Sequence, residues 1–261
     1  MADYEADSLA EATPNEPKDG VYTVTNTYHV YKTLKLDAHL DRLEDSARRA
    51  RIELALDRRQ LRASLRQMID ESGYGDVRFR ITAPRDSSHL IISMEPYLPL
   101  SPELYQKGVR CVTVPDSARD NPNVKATEWM HIRDDLREDL PPHAYEVILL
   151  DTFGNMLEGA SSNFFAILNS ALHTADKGAL AGIARQVVFE VAPGIMPLHH
   201  SVVNVCDIPH LSEAFITSSS RGIVPVVAID DRPVGDGTPG KTTKALRRAY
   251  STWAQTHLED L

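Results

Sequence analysis

The sequence predicts a two-part fold, an α+β half followed by an α/β half. Before residue 115, two amphipathic helices sit among alternating, β-branched strands. After residue 124, strands alternate with single helices. No fixed-period repeat runs through the chain, which argues against a solenoid or propeller. A length of 261 residues is enough for one large domain or two smaller ones. The expected division is a mobile acidic arm over 1–18, a small α+β domain over 19–115, a linker over 116–123 and a large α/β domain over 124–261.

The arm, MADYEADSLAEATPNEPK, lacks the apolar segment of a signal peptide and has room for one helical turn. Val21–Thr27 alternates and is β-branched, so it reads as a strand. Asp37 is placed to cap a helix beginning near Ala38. Leu40, Leu43, Ala47, Ala50 and Leu54 mark its buried face at spacings of three and four. Asp57 caps a second helix with Leu61, Leu65, Met68 and Ile69 inward, and ESGYGD breaks it. Val77–Thr82, Leu90–Glu95 and Val109–Val114 read as strands. A helix is expected from Ala126 to Glu138. Beyond it come a strand through YEVILL, a turn at Phe153–Asn155, a short strand and the strand NFFAIL. Ala184–Val191 reads as helix, Ala214–Thr217 and Ile223–Ile229 as strands, and Thr242 to His257 as the last helix.

Hydrophobic content of 42% and charged content of 25% are ordinary for a soluble globular protein. A net charge of −9 argues against general binding to nucleic acid, which depends on neutralising phosphates. No apolar run approaches the roughly 18 residues of a membrane span. The two cysteines, Cys111 and Cys206, form no CxxC pair, so neither a zinc site nor a disulfide framework is expected and a cytoplasmic setting is.

Several motifs invite chemistry. GDGTPGKT, Gly235 to Thr242, fits the letter of a phosphate-binding loop. Only one helix follows it, whereas such a domain needs further strands, one of them carrying an acid for magnesium. A turn leading into a helix is the better reading. His199–His200 lacks a third ligand at metal spacing, so no metal site is expected. Arg48, Arg49, Arg51, Arg58, Arg59, Arg62 and Arg66 alternate with acids and read as a solvated helix face. Among eight lysines, Lys125 stands apart: it follows a loop, begins a helix and lies between Val124 and Ala126. In a semi-apolar pocket such an amine can attack a carbonyl; taken alone, it reads as a surface lysine. In LEGASSNFFAIL, Glu158, Ser161, Ser162 and Asn163 directly precede an apolar strand. Burying polar groups is costly unless each finds a partner. Either this is an ordinary corner or a cavity needs a carboxylate there.

LEGASSNFFAI resembles the E-G-x-x-x-N-[LVF]-F signature of the fold-type IV pyridoxal-phosphate enzymes, which include branched-chain aminotransferases, D-amino-acid aminotransferases and aminodeoxychorismate lyase. Other segments agree in order. Lys125 lies 33 positions before Glu158, close to the family spacing between the Schiff-base lysine and the glutamate at the pyridine nitrogen. LKLDAHLDRLEDSARRARI resembles the early helix whose D-R-L arginine, here Arg42, binds the cofactor phosphate; by itself Arg42 reads as helix surface. LAGIARQVV resembles L-P-G-I-T-R, where backbone N–H groups at a helix start face the phosphate, here Gly182, Ile183 and Ala184. ITSSSRGIVPV resembles the segment whose hydroxyls also reach it, here Ser218 and Ser219, with Ser220 nearby. The chain departs from the family in KATEW after the lysine, in Ala184 where threonine is usual, and in shortened opening strands.

The resemblance implies a two-domain, D-amino-acid-aminotransferase-like fold with pyridoxal 5'-phosphate as cofactor. It implies transamination of an amino acid with a 2-oxo acid, with Lys125 as catalytic nucleophile and proton shuttle, and a homodimer. Tyr22 corresponds to a strand position facing substrate, or is a core tyrosine. Arg80 and Arg85 are weaker candidates for a substrate carboxylate, and Ser220 lies on the same side. Two alternatives stay open: a lyase of the aminodeoxychorismate type, which releases pyruvate without an acceptor, and a non-catalytic family member serving as a binding protein.

Overall fold

The structure is a computed structural model and describes residues 6–261. The first five positions of the expected arm lie outside the described residues. The chain comprises two compact units. Unit 1 holds the described residues up to Leu98, Val124–Ile132 and Thr256–Leu261; unit 2 holds Pro99–Asn123 and Arg133–Gln255. The division differs from the expected one. Val109–Val114 and the expected linker lie in unit 2, and the segment carrying Lys125 lies in unit 1. The reason is long-range strand pairing, described below, which local pattern does not reveal.

Unit 1 contains helix α1 (Leu9–Ala12), strands β1 (Gly20–Tyr28) and β2 (Lys32–Leu34), and helices α2 (Leu36–Ala50) and α3 (Arg58–Ser72). Strands β3 (Val77–Pro84) and β4 (Ile91–Pro96) follow, and the C-terminal strand Leu258–Asp260 returns to the same sheet. The sheet is antiparallel, ordered C-terminal strand, β2, β1, β3, β4. Leu40, Leu43 and Ala47 of α2, with Leu61, Leu65 and Ile69 of α3, pack against Phe79 and Ile81 of β3. Each large side chain buried this way contributes about 1.5–3 kcal/mol. Asp57 caps α3 as expected, accepting from the Gln60 N–H at 2.9 Å. Asp37 is not a cap: α2 begins at Leu36, and Asp37 sits in its first turn. There its charge suits the helix dipole. Leu54 lies beyond α2, which ends where Arg51 turns left-handed at φ 55°. The arginine row is a solvated face: Arg58 meets Asp41 at 2.6 Å, and Arg62 meets Asp37 at 3.0 Å.

Residues 6–18 are packed rather than mobile. Leu9 and Ala12 are buried, and Glu16 forms an ion pair with Arg80 at 2.9 Å, their side chains 0% and 3% exposed. An acidic stretch looks solvated until its buried counter-ion, distant in sequence, is known.

Unit 2 contains helices α4 (Pro102–Lys107), α6 (Ile183–Val191) and α7 (Lys241–Thr256); helix α5 (Glu128–Glu138) begins in unit 1 and ends here. Its strands are β5 (Val109–Val114), β6 (Glu146–Leu150), β7 (Asn155–Gly159), β8 (Ser162–Leu168), β9 (Ala171–His173), β10 (Leu198–His199), β11 (Val203–Asn204), β12 (Glu213–Ser218), β13 (Gly222–Ile229) and β14 (Arg232–Pro233). β5 runs parallel to both β13 and β6, which is what recruits it to unit 2. The path β8-β12-β13-β5-β6-β7 closes on itself through the β7–β8 pairing. The sheet continues beyond the closed path through β9 and β10 at β8 and through β11 at β7. Ile148, Phe164, Ala166, Ile216 and Val224 are among the core residues of this closed sheet.

The loop resembling a phosphate-binding loop is filled by the protein itself. The Glu213 carboxylate accepts from the N–H groups of Thr242 at 3.0 Å and Thr243 at 2.6 Å, where α7 starts. A Cβ on Gly240 would come within 2.0 Å of Glu213 Cδ. The donors that a nucleotide phosphate would use are taken by a carboxylate.

Removing Glu16 strands the Arg80 guanidinium in the core. Glu16→Ala should destabilise the protein by about 3–5 kcal/mol. A lowered urea midpoint checks this; an unchanged midpoint would mean that the arm contributes nothing to unit 1.

Candidate active site

In unit 1, Lys125 extends the edge of β1. The Lys125 carbonyl accepts from Tyr22 N–H at 2.9 Å, Thr127 N–H donates to the Gly20 carbonyl at 2.9 Å, and Ala126 bridges Val21. Lys125 N–H donates to Ser46 Oγ at 3.2 Å. The backbone around the lysine is thus tied to β1 and α2. Its Nζ stands 4.6 Å from the centroid of the Tyr22 ring, and that ring is buried. A cation over an aromatic face is favourable, so Tyr22 places the amine as well as filling the core.

Beside it, Arg42 Nη2 donates to Thr23 Oγ1 at 3.1 Å, and Thr23 Oγ1 lies 2.9 Å from His39 Nδ1. Both contacts are made at once when Thr23 accepts from the arginine and donates to a neutral imidazole. His39 is 1% exposed. Burial, then the charges of Arg42 and Lys125, hold its pKa well below the ordinary histidine value. Sequence reading selected Lys125, Arg42 and Tyr22 here and passed over His39, Thr23 and Ser46. His39 lies in LDAHLDRL together with Arg42, but its burial and the approach of Lys125 depend on parts of the chain far from that segment.

Arg80 and Arg85 carry structural contacts. Arg80 is committed to Glu16. Arg85 binds Asp19 at 2.6 Å and the carbonyls of Ala50 and Arg51 at 3.1 and 3.2 Å. These bonds account for both residues as packing elements of unit 1.

Unit 2 gathers the remaining candidates. Glu158, Asn163 and Thr217 are register partners across β7, β8 and β12. Glu158 is 3% exposed. Its Oε2 accepts from Leu180 N–H at 2.9 Å, and its Oε1 lies 3.4 Å from Arg119 Nη1. Asn163 Nδ2 donates to the Leu180 carbonyl at 2.8 Å. Two residues on, Gly182 begins helix α6 with no side chain capping it. A Cβ on Gly182 would come within 2.0 Å of Asn163 Oδ1, so only glycine fits. Ile183 and Ala184 then present first-turn N–H groups, which with the helix dipole favour an anion. Ser218, Ser219 and Ser220 occupy the hairpin between β12 and β13, directly after Thr217. Sequence reading missed Arg119, which carries no local signal in PDSARDNPN, and Arg221, which closes the serine hairpin. Burial alone would lower the Arg221 pKa, but the facing Glu146 and Tyr145 raise it overall, so this guanidinium is held charged.

The donor set fits pyridoxal phosphate. Glu158 supplies a buried carboxylate, the kind of group that accepts from a ring N–H. The start of α6 offers uncapped amides, and the buried Thr217 Oγ1 has no hydrogen-bond partner among the described residues. A carboxylate for the ring and donors for the phosphate therefore stand together in one unit.

Residues 20–229 match the amino-transferase class IV family. The chain belongs to that family. It is 27% identical over 245 residues to the D-alanine aminotransferase of Bacillus licheniformis, covering 88% of this chain and 86% of the relative. A branched-chain amino acid aminotransferase structure from Thermotoga maritima, itself called putative, superposes with a TM-score of 0.81 at 26% identity, covering 98% of this chain and 92% of that one. The PLP-bound form of a hypothetical aminotransferase from Mycobacterium tuberculosis shares the fold at a TM-score of 0.77 and 19% identity, covering 98% and 94%. The chain is an aminotransferase of fold type IV, and the family cofactor is pyridoxal phosphate.

His39 makes stability depend on pH. Below the ordinary value of about 6.5, the unfolded chain takes up a proton that buried His39 refuses. Stability should fall as pH drops from 7 to 5.5, with a contribution of up to about 1.4 kcal/mol per unit. Urea unfolding at several pH values should show this slope in the wild type and a shallower one in His39→Gln; equal slopes would rule His39 out as its source.

Proposed function

We propose that this class IV aminotransferase moves an amino group from an α-amino acid to a 2-oxo acid using Lys125 as its catalytic residue. The observation that carries the reading is the lysine itself, pinned by backbone bonds on both sides and with its amine over a buried aromatic ring. When bound, pyridoxal phosphate supplies an electron sink for the pair left on the substrate Cα. Glu158 would accept a hydrogen bond from the ring N–H and favour its cationic form. In unit 2, Gly182, Ile183 and Ala184 at the start of α6, with Ser218 and Ser219, would bind the phosphate; in unit 1, the family resemblance gives Arg42 a phosphate-binding role. Lys125 Nζ would hold the cofactor through its aldehyde carbon and, once displaced by substrate, would take the proton from the substrate Cα and pass it to that carbon. Tyr22 positions that amine, and Ser220 lines the substrate side.

The substrate reading follows the relatives, a D-alanine aminotransferase and branched-chain aminotransferases. Small and branched aliphatic amino acids are therefore proposed as donors. A homodimer is proposed from the family resemblance. A cytoplasmic setting is proposed from the two free cysteines, one of them exposed. Among the described residues no helix is long and apolar enough to cross a membrane.

Lys125→Ala should lose transamination by at least about 10³-fold and lose the visible absorbance of the cofactor-loaded enzyme. The assay is amino-group transfer from D-alanine and from L-leucine to 2-oxoglutarate. Full activity in the variant would overturn the lysine assignment. Pyruvate release from aminodeoxychorismate without any acceptor would overturn transamination in favour of a lyase.

A further inference from the structure

Arg221 is placed to set the spacing between the two ends of the cofactor site. Ser218 pairs with Gly222, so Ser219, Ser220 and Arg221 form the hairpin connection. Gly222 has φ +61°, the left-handed residue that closes such a three-residue loop. Arg221 does not extend into solvent from this tip. Its Nε donates to Ser218 Oγ at 2.7 Å within the hairpin. Its Nη2 donates to both the carbonyl and Oγ of Ser161, at 2.8 and 2.9 Å. Its Nη1 lies 3.5 Å from Glu146 Oε2, and the guanidinium stands 5.7 Å from the Tyr145 ring centroid. Glu146 is 1% exposed and also accepts from Ser161 Oγ at 2.6 Å and Ser162 Oγ at 3.3 Å.

The contacts are shared out in a way that matters. Nε belongs to the serine hairpin. Nη2 belongs to the corner between β7 and β8, three residues beyond Glu158, and Nη1 faces Glu146 at the start of β6, whose carboxylate holds that same corner through Ser161 and Ser162. One rigid, planar group therefore joins the hairpin that carries Ser219 to the corner that follows Glu158. A flexible ammonium makes point contacts and cannot reproduce such a fork. The cofactor's ring is rigid and a short methylene–oxygen link joins it to the phosphate, so the separation of its two ends is bounded and both elements must be held in register to bind them at once.

We infer that Arg221 is a positioning residue that locks the Ser218–Ser220 hairpin to the Glu158 corner and so sets the phosphate-to-ring spacing of the site. This rests on the proposed roles of Glu158 and Ser219. A residue that merely neutralised Glu146 would act differently: any cation in its place would do.

The test is cofactor affinity in Arg221→Lys, measured by equilibrium titration of the apoenzyme with pyridoxal phosphate beside its thermal unfolding without cofactor. The expected result is a dissociation constant raised about tenfold or more, with the apoenzyme still folded. A constant within twofold of wild type would overturn the proposal, because charge alone would then suffice. Should the lysine variant fail to fold, Arg221→Met combined with Glu146→Gln removes both buried charges. The same loss of affinity is expected there, and wild-type affinity would again overturn the proposal. Failure of both variants to fold would also overturn it, making Arg221 an element of the fold rather than of the site. Wild-type protein that does not bind pyridoxal phosphate would instead overturn the cofactor roles assigned above.

Discussion

The carboxylate of Glu158 is almost wholly buried and needs polar partners, and much of unit 2 is arranged to supply them. An uncompensated buried carboxylate is far too costly to persist. Here Leu180 N–H and Arg119 provide the compensation. Their approach in turn fixes the segment leading into helix α6, which Asn163 holds through the Leu180 carbonyl. The tight approach at Gly182 follows, since any side chain there would strike Asn163. One carboxylate thereby sets where α6 begins. The closed sheet contributes rigidity, because β7, β8 and β12 present Glu158, Asn163 and Thr217 side by side.

Unit 1 solves a complementary problem, that of collecting positive charge. Lys125 and Arg42 both act on His39, and burial leaves that imidazole neutral. A charged histidine there would repel the two cations that the proposed chemistry requires. Thr23 lets the neutral ring and Arg42 share one hydroxyl. Placing the lysine on the backbone edge of β1, rather than at the tip of a free loop, limits its motion to side-chain rotation. Such preorganisation is what general base catalysis at a carbon acid needs.

Much of this was legible in the sequence, and the failures have a common cause. The amphipathic faces of α2 and α3, the Asp57 cap and the strands β1, β3, β4, β6, β8, β12 and β13 follow from spacing within a few residues. Those signals are local. The packed arm, the transfer of β5 to unit 2 and the inclusion of Lys125 in unit 1 depend on long-range partners, such as Arg80 for Glu16, 64 positions away. For the same reason Arg80 resembles a substrate ligand until Glu16 is found beside it. Arg119 and Arg221 carry no periodicity and no propensity of their own, so nothing in their immediate neighbours marks them.

By itself, the sequence determined the family, which lysine and glutamate are the candidates for the site, and the order of the segments that carry them. Those properties reside in residue type and spacing along the chain, which folding does not alter. Tertiary structure alone decided which charges are compensated. It placed Arg119 on Glu158, gave Glu213 the donors of the apparent nucleotide loop, and turned Arg221 inward as a fork between two strands' ends. The energy of a buried charge depends on the groups within a few ångströms of it, and the chain's linear order does not specify that distance.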